Sequence, residues 1–459
     1  MCACSHAIPW LFPNVTTPAI VRLVIVACSL AAACAQAQTG IASNGAVATI
    51  GAPLGRESQS ANTLLLGTVS SFSYDNNALN STPGVHDFIL ASYPEIGLNM
   101  LHRRWGATLT YIPGLSYSTA NIPSYDLISH AFGGTASYRA THRLTLDFRE
   151  SFSSSTNPFD SLRNASLLPQ FGVLNTPTAV TWNLIPKTIE TAEAKATYKF
   201  TGRTTGFARG DYQYLDYQHT RESTGSLVVS QQSNSGVLTL GLDHQLSTRF
   251  TTGAQFTSQI LDFGGGDIRT NAQTLAFQVH VSLTPTIVIS AIAGPQYVVT
   301  RQTLINEINV LMDSHLQNNK SWSWMGGGAM SWNGHQNSLS ASVIRQLATG
   351  TGLQGNVRET IASIQMQHKV GKHASLDAFT TYSSSDPLIA TRVLPGTANS
   401  YLSAGGAITR NFTDNLSVGF TAWVVRQNGG PLVDAQYSGN HNRAAISLSY
   451  QIVRPLRRG

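Results

Sequence analysis

Eight acids and six bases of this chain fall at the parity of their local alternation that also carries hydroxyls, amides and glycines. They are Asp87, Glu95, Asp147, Glu193, Asp211, Asp243, Glu359 and Asp377, against Arg149, Lys195, Lys199, Arg209, Lys369 and Arg443. Side chains two apart on a strand share a face, so the set would line one side of whatever sheet these segments build. Signs so nearly balanced must be hydrated or paired with one another, because a lone charge in a dry interior is costly. That is the chemistry of a polar wall rather than of a catalytic centre. Asp216, His219 and Glu222 could meet at one rim and Asp262 lies at another, yet no specific spacing links them as a nucleophile and its base would be linked. The string WNGHQNS from Trp332 places a His and a Ser in a short turn. His130 and His280 stand alone, and no pair has metal-ligand spacing on a shared face. The glycine runs at Gly264 and Gly326 fall in a turn and a strand, not in a phosphate loop. We therefore expect no enzymatic activity, no metal and no cofactor.

The elements that would carry such a wall announce themselves through a recurring hinge. An aromatic, basic or apolar residue, a small polar turn and a renewed alternation of apolar and hydroxyl residues recur in YRATHRLTL from Tyr138, YKFTGRTTG from Tyr198, HQLSTRFTT from His244, VSLTPTIVI from Val281, HKVGKHASL from His368 and ITRNFTDNLSV from Ile408. Each joins two runs of period two through a few residues, as a hairpin does. Short connections are expected near 102, 140, 202, 247, 284, 334, 371 and 412, with longer ones rich in Ser, Asn, Gly and Pro alternating between them. The count between them is eighteen strands, or sixteen if one hairpin belongs to a loop. Among the later strands are segments 285–300, 321–333 and 441–453.

Within the strands the parity is sharp. From Trp105 to Ser118, Trp105, Ala107, Leu109, Tyr111, Pro113, Leu115 and Tyr117 share one face and hydroxyls and glycines the other, with Ile112 the exception. Trp322, Trp324, Met330 and Trp332 likewise share a face. Ten residues of strand span about 33 Å, or about 25 Å of height at a ~40° tilt, which is the separation of two aromatic girdles across a membrane. Charged residues form only 11% of the chain, about half the share usual in soluble domains. No segment beyond the N-terminal stretch approaches the ~20 apolar residues of a membrane helix. A closed sheet, apolar outside and polar within, satisfies both facts, with mean hydropathy near zero at −0.04.

This architecture resembles bacterial outer-membrane β-barrels of the porin type: all-β, antiparallel, up-and-down, with short turns on one side, long loops on the other and periplasmic termini. The N-terminus agrees. Ala19 to Ala33 is an apolar stretch running into Ala35-Gln36-Ala37, so residues 1–37 read as a signal peptide. Residues 38–60 then form a periplasmic segment, 61–453 the barrel and 454–459 a basic tail. All four cysteines, at 2, 4, 28 and 34, lie in the first segment, which leaves the barrel without thiols. Arg22 goes with it, so a mild basic excess without a basic run remains and nucleic acid is not an expected partner.

The last strand, with Ala444, Ile446, Leu448, Tyr450 and Ile452 on one face, resembles the closing strand that such proteins present to the barrel-assembly machinery. It departs from the pattern in continuing past Tyr450 to Arg454, Arg457 and Arg458. The connection from about Thr156 to Lys187 is long and apolar, and by resemblance to the third loop of general porins it would fold into the lumen, making Asp160 and Arg163 constriction candidates. The expected partners are outer-membrane lipid, lipopolysaccharide and small hydrophilic solutes, with a homo-oligomer possible. The expected function is a passive channel in the outer membrane of a Gram-negative cell. Two alternatives stay open. One is an export conduit for a largely neutral polysaccharide, with Tyr93 and Trp423 as stacking platforms, and the other is a structural or adhesive barrel. The candidate residues are then the pore-lining charges above and a girdle of Trp105, Tyr117, Trp322, Trp324 and Trp332.

Overall fold

The computed structural model describes residues 62–77, 86–119, 128–155, 187–217, 232–263, 268–305, 314–349, 356–388, 399–428 and 439–456. They form eighteen strands: β1 Thr63–Asp75, β2 Asp87–Leu101, β3 Trp105–Ser118, β4 Ile128–Arg139, β5 Leu144–Ser155, β6 Lys187–Lys199, β7 Thr204–Tyr217, β8 Ser233–Gln245, β9 Phe250–Phe263, β10 Ile268–Thr284, β11 Ile287–Ile305, β12 Ser314–Asn333, β13 Asn337–Thr349, β14 Asn356–Val370, β15 Ala374–Pro387, β16 Asn399–Asn411, β17 Leu416–Asn428 and β18 Gly439–Pro455. Every strand pairs antiparallel with its sequence neighbours, and β1 pairs with β18, so the sheet closes on itself. Closure removes the free edge that a sheet of this size would otherwise present.

The recurring hinge has a physical cause. In four of the turns a threonine hydroxyl accepts from the amides two and three residues on: Thr141 from Arg143 and Leu144, Thr201 from Arg203 and Thr204, Thr284 from Thr286 and Ile287, Thr413 from Asn415 and Leu416, each at 3.0–3.3 Å. In a fifth, Ser247 accepts from Arg249 at 3.3 Å. The side chain thus satisfies amides that the reversing backbone leaves over. The remaining hinge uses Gly371 at φ +70°, a conformation that a Cβ disfavours.

Three boundaries differ from the sequence reading. β11 and β12 continue beyond 300 and before 321, pairing from Thr300↔Asn319 to Ile305↔Ser314, because polar residues such as Gln302 and Asn318 hide a ladder that needs no alternating apolar face. β18 runs through Arg454 and Pro455, which face Leu64 and Thr63, so the tail begins later than 454. The Leu456 amide then donates to the Asn62 carbonyl at 2.7 Å, and the described ends of the chain meet at the short-turn edge. Residues 1–61, and with them the expected signal and N-terminal segment, lie outside the described residues.

Exposure alternates along the strands and separates two faces. In β2, Asp87, Ile89, Ala91 and Tyr93 are buried while Phe88, Leu90 and Ile96 are exposed. The covered face of a closed sheet is its concave one. The convex face carries exposed Leu109, Tyr111, Leu115, Tyr117, Leu238, Leu240, Phe277, Val343, Ile364, Phe420, Ile446 and Leu448. So extensive an apolar exterior is costly in water and natural in lipid.

Candidate functional site

The ladders carry the parity from strand to strand and place the eight acids and six bases of that set on the inner wall. Asp87 lies there fully buried, its carboxylate accepting from Ser118 Oγ at 2.6 Å and Thr119 Oγ1 at 3.1 Å. Glu359 is also buried and accepts from Ser383 Oγ at 2.7 Å. Asp377 takes the Ser375 hydroxyl at 3.3 Å, and Asp243 is held by the Gln278 amide. Glu95 and Lys369 share the face, and Lys199 lies exposed at the short-turn end.

Register brings six of the charges together. Asp147, Lys195 and Arg209 stand abreast on β5, β6 and β7, and Arg149, Glu193 and Asp211 stand abreast one step further along. Signs therefore alternate along each of the three strands and between β5 and β6, while Lys195 and Arg209, and Glu193 and Asp211, stand like beside like. Glu193 takes Arg149 at 3.5 Å and Arg209 at 3.3 Å, while Arg209 also grips Asp211 at 2.6 Å. Lys195 Nζ sits 5.3 Å from the centre of the Phe207 ring. Three acids and three bases leave no net charge, so the patch presents strong hydrogen-bonding groups without repelling either ion.

Hydroxyl pairs bridge strands elsewhere on the same wall: Ser151–Thr191 at 2.7 Å, Thr239–Thr257 at 3.3 Å, Thr270–Thr300 at 3.1 Å and Ser342–Ser363 at 2.7 Å. Sequence reasoning missed Asp75, which shares the wall between Asp87 and Arg443 in the β2–β1–β18 ladders and is fully buried. Its place at the end of β1, next to polar residues, masked its parity.

The aromatic residues divide. Trp105, Tyr117, Trp322, Trp324 and Trp332 share the outer face, Trp322 being 73% exposed with Tyr297 beside it at 5.2 Å between centroids. Tyr93 and Trp423 point inward but are covered. Tyr93 packs with Ala91, Ile112 and Ala131, its ring lying where a Cβ on Gly114 would stand, and Arg443 lies 5.3 Å over Trp423. Neither ring offers a bare platform for a sugar. Ile112, the exception in β3, is thereby explained as part of an apolar patch on the inner wall.

The constriction candidates Asp160 and Arg163 lie outside the described residues, as do His219 and Glu222. Asp216 and Asp262 face outward, and Asp262 pairs with Arg269 at 3.4 Å. Within the described residues the lumen is narrowed by the wall itself. The end of β13 leaves the cylinder and lies over the inner face of its neighbours, where Leu347 packs with Leu261, Ala272 and Val298 and its carbonyl accepts from Gln259 Nε2 at 3.2 Å.

No family model matches this chain, and no curated protein matches it in sequence. Solved structures similar to it include OpdQ of Pseudomonas aeruginosa, at 11% identity over 85% of this chain and 99% of that one with a TM-score of 0.42. OccK2 (OpdF) of the same organism in complex with glucuronate gives 11%, 85%, 98% and 0.42, and OccAB2 of Acinetobacter baumannii 14%, 85%, 98% and 0.43. Resemblance at this level leaves the function to be argued from the two faces of the sheet.

Proposed function

We propose that the chain is a channel of the bacterial outer membrane through which small hydrophilic solutes diffuse passively. One observation carries this reading: a single sheet of eighteen strands closes with an apolar exterior and an interior of hydroxyls, amides and a neutral charge lattice. A cylinder of this circumference encloses more space than its own side chains fill. The charges from Asp87 to Asp377 then line the passage, and Arg149, Glu193, Arg209 and Asp211 meet a solute with donors and acceptors of both kinds. In this setting the exposed Leu, Ile and Phe residues meet lipid and lipopolysaccharide, Trp322 and Trp332 mark the two interfaces, and the termini lie on the periplasmic side.

The test is single-channel conductance in a planar bilayer, with polyols and sugars of increasing size added to both chambers. Discrete ohmic steps that small sugars depress and large ones leave unchanged are expected. Membrane insertion without any conductance would overturn the channel.

A further inference from the structure

The convex face of β9, β10, β11 and β12 carries charge of one sign at its far end. Arg269, Arg301 and Lys320 stand there, all exposed, and Asp262 is the only acid in the four strands. Parity sets Arg269 and Arg301 outward, because their neighbours Thr270, Thr300 and Gln302 are buried on the inner side, where the two threonine hydroxyls meet at 3.1 Å. Lys320 shares the parity of outward Trp322.

Register makes these cations a cluster. Arg269 lies directly opposite Arg301 in the β10–β11 ladder, and Lys320 is two places along β12 from Asn318, the partner of Arg301. Like charges set across from each other on paired strands destabilise the pair, so the arrangement calls for an anion. Asp262 answers part of that need, facing Arg269 from β9 with its carboxylate 3.4 Å from Nε. Three cations against one carboxylate leave two positive charges over among the described residues of these strands.

Along β10 the outward residues change character in order. From the rim they are Arg269, Asn271, Gln273, Leu275 and Phe277: a cation, two amides, then apolar side chains 49% and 63% exposed. Gln273 is in register with Tyr297, and Tyr297 with Trp322, the aromatic pair already placed at the membrane interface. Arg269 is four residues beyond Gln273, so the cations stand about 10 Å past those rings at a ~40° tilt. The whole polar stretch from Leu275 to Arg269 is about 15 Å high by the same geometry. Headgroups of a phospholipid leaflet occupy only about 5–8 Å. The wall therefore matches a deeper headgroup, and a phosphorylated glycolipid has that depth. Its phosphates suit facing guanidinium forks, its sugars the amides and its chains the apolar band.

We propose that the outward ends of β9–β12 hold the phosphorylated headgroup of one lipopolysaccharide molecule. A phosphate lies between Arg269 and Arg301 with Lys320 beside it, Asn271 and Gln273 meet the sugars, and the acyl chains run over Leu275, Phe277 and the Trp322 ring. The site rests on the membrane-spanning part of the reading above and adds to it a fixed lipid on one side of the barrel.

The experiment titrates the detergent-solubilised full barrel with hexa-acylated bisphosphoryl lipid A and counts adducts by native mass spectrometry, with EDTA present so that no divalent ion bridges to Asp262. One saturable adduct is expected. Its half-saturation should move to about tenfold higher concentration in the double variant Arg269→Gln, Arg301→Gln, stay within about threefold of the parent when both become Lys, and not move in Arg426→Gln, an exposed cation on β17 away from the cluster. On the parent, which needs no variant to fold, lipid A stripped of its phosphates should bind at least about tenfold more weakly, and dioleoylphosphatidylglycerol should give no single saturable adduct. Equal binding with and without phosphates, or equal half-saturation in parent and double glutamine variant, would overturn the site. Phosphatidylglycerol binding as tightly as lipid A would overturn its assignment to the glycolipid. Heat-modifiable gel mobility and conductance are measured on the same preparations: a parent that forms no conducting barrel overturns the channel reading too, whereas a conducting barrel without a phosphate-dependent adduct overturns only the lipid site.

Discussion

Leu109 and Thr110 are sequence neighbours in β3 with opposite surroundings: Leu109 is 42% exposed on the convex face, and Thr110 is half-buried on the concave one. Leu109→Arg places a guanidinium in lipid at a cost of about 2–4 kcal/mol near the midplane. Thr110→Arg places it in the lumen, where water and Glu95 on the neighbouring strand can accommodate it. Folding yield into lipid vesicles should therefore fall for the first variant and stay near the parent for the second, and equal losses would mean that the faces are assigned the wrong way round. Glu193 is shared by two arginines, and its neighbours complete a lattice rather than an acid-base pair.

At the scale of elements, the hairpin is the unit, and the threonine at its turn sets the register. Thr201 accepts from two amides at 3.2 and 3.0 Å. Thr201→Val keeps the shape and removes the acceptor, which should cost about 1 kcal/mol, since exposed amides recover part of the loss from water. Thr201→Ser should cost little. Urea unfolding of the vesicle-inserted barrel measures both, and an unshifted midpoint for the valine variant would show that the β6–β7 hairpin is held by its ladder alone. The hinge was legible because this chemistry is local, within four residues of chain. The long extension of β11 and β12 was not, because a ladder between polar residues leaves no mark on the hydropathy of either strand.

For the whole molecule, closure is the dominating fact. A sheet whose first and last strands pair from Thr63↔Pro455 to Asp75↔Arg443 has no end from which to unzip. The folded barrel should resist dodecyl sulfate at room temperature and run faster on a gel than the boiled chain, while cofractionating with outer membranes. Recovery as a water-soluble periplasmic protein would contradict the exterior described above, where apolar residues from Phe72 to Leu448 meet the surroundings.

Sequence by itself determined the strand class, the number of strands, the sites of the short turns and the face on which each charge stands, because these rest on period two and on turn residues that act over a few positions. It also carried the expectation of a polar wall. Only the tertiary structure decided which charges meet, since parity names a face but not a neighbour: the lattice of Asp147, Lys195, Arg209, Arg149, Glu193 and Asp211 is a product of register across three strands. It also decided depth. Tyr93 and Trp423 have the parity of open platforms and are covered by Ile112 and Arg443. The inward turn of β13 was hidden for the same reason. Leu347 reads as a lipid-facing residue by alternation, and it turns inward because the inner wall at Leu261, Ala272 and Val298, brought there by three other strands, offers it an apolar surface to bury against.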